Sequence, residues 1–186
     1  MKTSSIKDFE KALYLLDEKL AQSGDTRIEI RAIGGFAMMY YGLRESGYTI
    51  DIDSLTTDYD SPVKQIIREV GDELGLDEDW LNTDCAALQG FLEELAPEIQ
   101  WQKTEYNLKN IDLTVADIFG LIRSKAKAVH DGGLVPRSTD KKDLLSALRY
   151  VGVVNVSDLE KSENLGFIQK DYPRCYEYLE NIREWL

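Results

Sequence analysis

The chain has 186 residues and a formal net charge of −12, with 34 acidic side chains against 22 basic ones. That balance argues against extended nucleic acid as a partner, because a protein that grips a phosphate backbone normally carries a basic stripe. No stretch reaches the ~18–20 apolar residues needed to span a bilayer, the start Met1–Ser5 lacks the apolar run of a secretory signal, and the distant Cys85 and Cys175 read as reduced thiols of a cytoplasmic protein.

In chain order, Ser5 caps a first helix whose Phe9, Leu13, Leu16 and Leu20 keep helical spacing until Gly24. Residues 28–33 alternate as a strand, 35–42 form a short helix, and 49–54 form a second strand. Ser61-Pro62 opens a helix with Val63, Ile66, Ile67 and Val70 on its buried stripe, since proline suits the first helical position. Trp80-Leu81 anchors a loop, and residues 84–96 read as a short helix that Pro97 ends. Segments 99–106 and 110–115 read as two more strands, a hairpin across 107–110. A helix begins at Asp117 with Ile118, Leu121, Ile122 and Val129, and another spans 140–151 with Leu144, Leu145, Leu148 and Val151. Ser157 and Glu160 have capping-box spacing, and a last helix covers about 171–185. The expected architecture is α/β: a small mixed sheet with flanking helices in a core of residues 1–150, and a helical C-terminal part, 151–186, packed on it.

Two features in this order carry chemistry. The strand–Gly34-Gly35–helix junction lets phosphate approach backbone N–H groups at a helix N-terminus. In Thr49-Ile50-Asp51-Ile52-Asp53, the two aspartates stand i, i+2 on a strand and so share one face. Adjacent carboxylates repel unless a cation sits between them, and oxygen ligands of this kind suit Mg²⁺ with substrate phosphates. The single His130 excludes a multi-histidine metal site. Arg123, Lys125, Lys127, Arg137, Lys141 and Lys142 make 123–142 the basic part of an acidic chain, a place for a triphosphate or an RNA end or simply the polar face of two helices.

Gly34-Gly35 followed by Thr49-x-Asp51-x-Asp53 resembles the signature of the DNA polymerase beta-like nucleotidyltransferase superfamily, and within it the minimal bacterial nucleotidyltransferases and AbiEii-type abortive-infection toxins. Residues 117–128, with Lys125 near Ala126, resemble the family's downstream helix. Arg137-Ser-Thr-Asp140-Lys-Lys-Asp143-Leu144 resembles its Arg-x-x-Asp-x-x-Asp-Leu motif. The resemblance covers most of residues 28–150. It implies an enzyme that moves a nucleoside monophosphate from a nucleoside triphosphate to a hydroxyl of a protein, RNA or small molecule, in a toxin–antitoxin or phage-defence setting with a small antitoxin or regulator as partner. Gly34, Gly35, Arg44 and Thr49 would hold the nucleotide, and Asp51 and Asp53 would hold Mg²⁺. Lys125, oriented by Asp140 or Asp143, would neutralise developing charge. Gly47 stands where related patterns carry a basic residue, with Arg44 nearby. The third carboxylate of the polymerising members falls on Glu105, or next on Asp112. The rival reading is a non-catalytic, nucleotidyltransferase-like protein that binds nucleotide or a partner.

Overall fold

The computed structural model describes residues 3–24, 26–44, 48–88, 90–132, 137–182 and 185. The chain divides into two compact units, Met1–Ala116 and Asp117–Leu186. The division expected at 150/151 falls inside the second of them.

The first unit opens with β1 (Ser4–Ser5) and α1 (Ile6–Gln22). The Asp8 carboxylate accepts from the Ser5 backbone N–H at 2.9 Å and from its hydroxyl at 2.7 Å, which closes the first turn. Phe9, Ala12, Leu13, Leu16 and Leu20 are fully buried, the stripe expected from their spacing. Then follow β2 (Ile28–Ile33), α2 (Gly34–Tyr40), β3 (Tyr48–Thr49) and β4 (Ile52–Ser54). The strand expected over 49–54 is therefore broken at Ile50 and Asp51. Its front half pairs with β1, Ser4 opposite Thr49, and its back half with β2, Ile33 opposite Asp53. Two pairings in different sheets cannot be one straight strand.

α3 (Ser61–Leu74) starts at Asp60, whose carboxylate accepts from the Val63 N–H at 3.0 Å, and stops at Gly75 in the left-handed conformation. Trp80 anchors its loop in the core, as expected: it is fully buried, its indole N–H donates to the Ile67 carbonyl at 2.8 Å, and its ring stacks on Phe9. It leads into an edge strand the sequence does not announce, β5 (Leu81–Asn82). Residues 84–98 make three short irregular helical turns in place of one helix. β6 (Trp101–Lys103) and β7 (Ile111–Ala116) form the expected antiparallel pair, though β6 is shorter than 99–106. The sheet is mixed, in the order β5-β4-β2-β7-β6, with β2 parallel to β7 and β4 antiparallel to β2. Ile30, Ala32, Ile52 and Val115 are fully buried beside the helical core, while Glu29 and Asp112 alternate outward, as expected where only one face of a sheet joins a core.

The second unit is helical: α4 (Ile118–Asp131), α5 (Ser138–Tyr150), α6 (Val156–Lys161), α7 (Phe167–Asp171) and α8 (Pro173–Asn181). The Asp117 carboxylate caps α4 by accepting from the Gly120 N–H. Asn155, not Ser157, caps α6, with its side chain accepting from the Asp158 N–H at 2.9 Å. The last expected helix, about 171–185, is α8, which Pro173 opens at its first position and which stops at Asn181; residues 183–184 of its range lie outside the described residues, and α7 before it was not expected. His130 sits in the last turn of α4, where its Nδ1 accepts from the Arg174 N–H. No helix among the described residues is long and apolar enough to cross a membrane.

Candidate functional site

Gly34, Gly35, Arg44, Thr49, Asp51 and Asp53 all belong to the first unit, and the fold gathers them at the C-terminal end of β2. Gly34 has φ +66°, a conformation that favours glycine. A Cβ at Gly34 would stand 2.6 Å from Asp53 Oδ2, so the turn lies directly against that carboxylate. Gly35 is constrained differently. A Cβ there would run into the Arg44 guanidinium and the Thr49 hydroxyl. The left-handed residue is thus Gly34, and what needs the absent side chain of Gly35 is protein. Arg44 Nη1 donates to the Tyr48 carbonyl at 3.1 Å, and its guanidinium lies beside Gly35. Gly47 lies outside the described residues. Ile33 offers α2 no side-chain cap.

Asp53 is held by the sheet, opposite Ile33 on β2 and Asn82 on β5. Asp51 lies one residue before β4. Its Oδ2 accepts from Asn82 Nδ2 at 3.1 Å. Burial pushes the Asp51 carboxyl above the usual aspartate range; the Asn82 hydrogen bond and Arg44 oppose this, while Asp77 and Asp84 add to it. Both aspartates are half-buried, and Ile52 and Ser54 between and beyond them are fully buried. Cys85 is inert beside this pair: burial first, then the charge of Asp53, keeps its thiol protonated, and the thiol points at the Ser54 carbonyl.

Neither expected third carboxylate joins them. Asp112 stands opposite Glu29 on β2, four residues from Ile33 and so roughly 13 Å along the strand from the level of Asp53. Glu105 lies two residues past Lys103, which pairs with Thr114, and antiparallel register carries it to that same far end, exposed. Among the described residues no three His, Cys, Asp or Glu side chains gather as a metal cluster. Of the two carboxylates Asp53 lies against the glycine turn, while Asp51, outside β4, is not placed on its face by the i, i+2 spacing of one strand; one or two such carboxylates are what a magnesium ion carrying phosphate oxygens and water would use.

In the second unit α4 and α5 pack so that Lys125 meets Asp140 Oδ1 at 2.9 Å and Asp143 Oδ2 at 2.8 Å. The three are 6%, 3% and 4% exposed. Arg137 Nε adds a contact of 2.8 Å to Asp140 Oδ2. Burial works against the Asp140 carboxylate, but the charges and hydrogen bonds of Lys125 and Arg137 outweigh it and hold its pKa below the usual value. The basic run 123–142 is largely matched by acids: Lys127 pairs with Asp131 and Arg123 with Asp171. Sequence reasoning missed Asn82, whose only signal was its place after Trp80-Leu81.

No protein-family model matches the chain, and neither curated proteins nor solved structures yielded a match.

Proposed function

We propose that the Gly34/Asp53 end of the sheet is the active site of a nucleotidyltransferase, an enzyme that moves a nucleoside monophosphate from a nucleoside triphosphate to a hydroxyl acceptor. One observation carries the reading. The left-handed Gly34 turn abuts the Asp53 carboxylate although 18 residues of sequence lie between them. That contact brings the glycine turn and one of the two aspartates together, which supports reading them as one site.

The acceptor oxygen attacks the α-phosphorus, the bond to the bridging β-phosphate oxygen breaks, and pyrophosphate leaves; the hydroxyl proton passes to solvent. Chemistry of this kind asks mainly for positioning and charge neutralisation. Mg²⁺, when bound, supplies charge neutralisation across the phosphates. Asp51 and Asp53 would hold it, the missing side chain of Gly34 lets the Asp53 carboxylate lie against the turn, and Arg44 adds a cation beside Asp51. Lys125 enters this reading as the centre of a buried charge cluster. Its ammonium already has two carboxylate partners, and 6% exposure speaks against a direct phosphate contact.

The second reading, a nucleotide-binding protein without transfer, draws on the absence of a third carboxylate at the pair among the described residues. Labelled nucleoside triphosphates incubated with cell lysate and the protein separate the two. Transfer by wild type but not by Asp51→Ala/Asp53→Ala supports the enzyme; saturable metal-dependent binding with no transferred label supports the second reading. An antitoxin or regulator partner belongs to the same proposal and would appear as a change in transfer when that partner is added.

A further inference from the structure

We propose that Asn82 is a positioning residue for this site, holding Asp51 in the orientation that lets it share a metal ion with Asp53; this rests on the reading just given. The sheet treats the two aspartates unequally. Asp53 is inside β4, fixed by pairing with β2 on one side and β5 on the other. Asp51 lies at the break between β3 and β4, outside either ladder. The hydrogen bond from Asn82 does for the Asp51 side chain what strand pairing does for Asp53.

The geometry of Asn82 suits that work. Trp80 is buried and tied to the Ile67 carbonyl, and the Ile52 N–H donates to the Trp80 carbonyl at 2.7 Å, so β5 leaves the core from a pinned start. The amide cannot be turned over. Asn82 Oδ1 accepts from the Asp84 N–H at 3.0 Å, a group that can only donate. Its NH₂ faces the Asp79 carbonyl at 3.3 Å and Asp51 Oδ2 at 3.1 Å, and both of those receive a hydrogen. One side chain therefore has three hydrogen bonds whose directions agree. It contributes a dipole and no charge, which leaves the negative charge of Asp51 for the metal. Partners that orient metal-ligating carboxylates typically contribute 10–100-fold in metal affinity.

Asn82→Ser removes the hydrogen bonds to Asp51 and to the exposed Asp79 carbonyl and can keep the one from Asp84. A serine hydroxyl can still accept from the Asp84 N–H, but it is too short to reach Asp51. Calorimetry with Mn²⁺ and each of the four nucleoside triphosphates gives the readout, beside thermal melting of the metal-free protein. The expected result is an unchanged melt, unchanged nucleotide binding without metal, and metal-dependent nucleotide affinity weakened about tenfold or more. Metal-dependent affinity within about twofold of wild type overturns the proposal and leaves the active-site reading standing. Wild type that binds no metal–nucleotide complex overturns both. Should Asn82→Ser melt early, the wild-type protein decides: its Asn82 side-chain amide resonances shift with Mg²⁺–nucleotide saturation, and resonances that stay in place at saturation overturn the proposal.

Discussion

Replacing Lys125 by methionine tests whether the charge cluster in the second unit is a structural centre. Methionine keeps much of the aliphatic stem and removes the ammonium. Asp140 and Asp143 are then left 3% and 4% exposed without their shared cation. Arg137 still reaches Asp140, but its side chain is 81% exposed, where solvent and salt screen it. Breaking a buried ion pair by removing one partner costs about 3–5 kcal/mol, whereas an exposed pair is worth ~0–1 kcal/mol. The burial of all three residues puts this cluster in the first class. Urea unfolding at neutral pH, followed by circular dichroism, is expected to register a loss in that higher range. The double variant Lys125→Met/Asp143→Asn removes the surplus negative charge and is expected to recover a large part of it. A single-variant loss under about 1 kcal/mol, or a double variant no better than the single, would refute the reasoning. In the folded variant, Mg²⁺–nucleotide affinity is expected to stay close to wild type; its abolition would return Lys125 to the phosphates.

Gly34→Ala should cost about 1–2 kcal/mol from the left-handed backbone alone, with more from the close approach to Asp53 Oδ2, and should weaken metal–nucleotide binding; an unchanged melting temperature would contradict both. Gly35→Ala should also lower the melting temperature, because its Cβ meets Arg44 and Thr49. Asp51 has a raised pKa, so the folded state holds its proton to higher pH than the unfolded one; its stabilising contribution is present below the ordinary value of 3.8 and is lost as pH rises through the folded value. Asp51→Asn should therefore raise the urea midpoint at neutral pH while abolishing metal-dependent binding, and a lower midpoint would sink the argument. Asp140 has the opposite sign. Its contribution is present above 3.8 and is lost as pH falls through its depressed folded value, so Asp140→Asn should flatten the acid limb of a stability–pH curve.

The parts of this fold that repeat were legible in the sequence. The stripe Phe9–Leu20, the strand 28–33 and the α4 and α5 patterns recur with fixed period, and period is what buried faces impose. The encounter of Lys125 with Asp140 and Asp143 is the pairing that the resemblance implies, and i, i+3 spacing puts both carboxylates on one helix face. What was hidden depended on pairing between distant segments. Nothing local says that 48–49 joins β1 while 52–54 joins β2, so the break at Ile50–Asp51 was invisible. β5 is two residues long, too short for any alternation to register. Glu105 and Asp112 fall in the later strand segments where a third carboxylate is expected, yet register decides, and register carries both to the other end of the sheet. The difference between Gly34 and Gly35 is likewise tertiary, one set by φ and Asp53, the other by Arg44 and Thr49.

Calorimetry of nucleoside triphosphates in the presence and absence of Mg²⁺, on wild type and on Asp51→Ala/Asp53→Ala, tests the central claim most directly. The account expects saturable, Mg²⁺-dependent binding to wild type and its loss in a double variant that melts no earlier than wild type. Equal nucleotide affinity in the two proteins would contradict it.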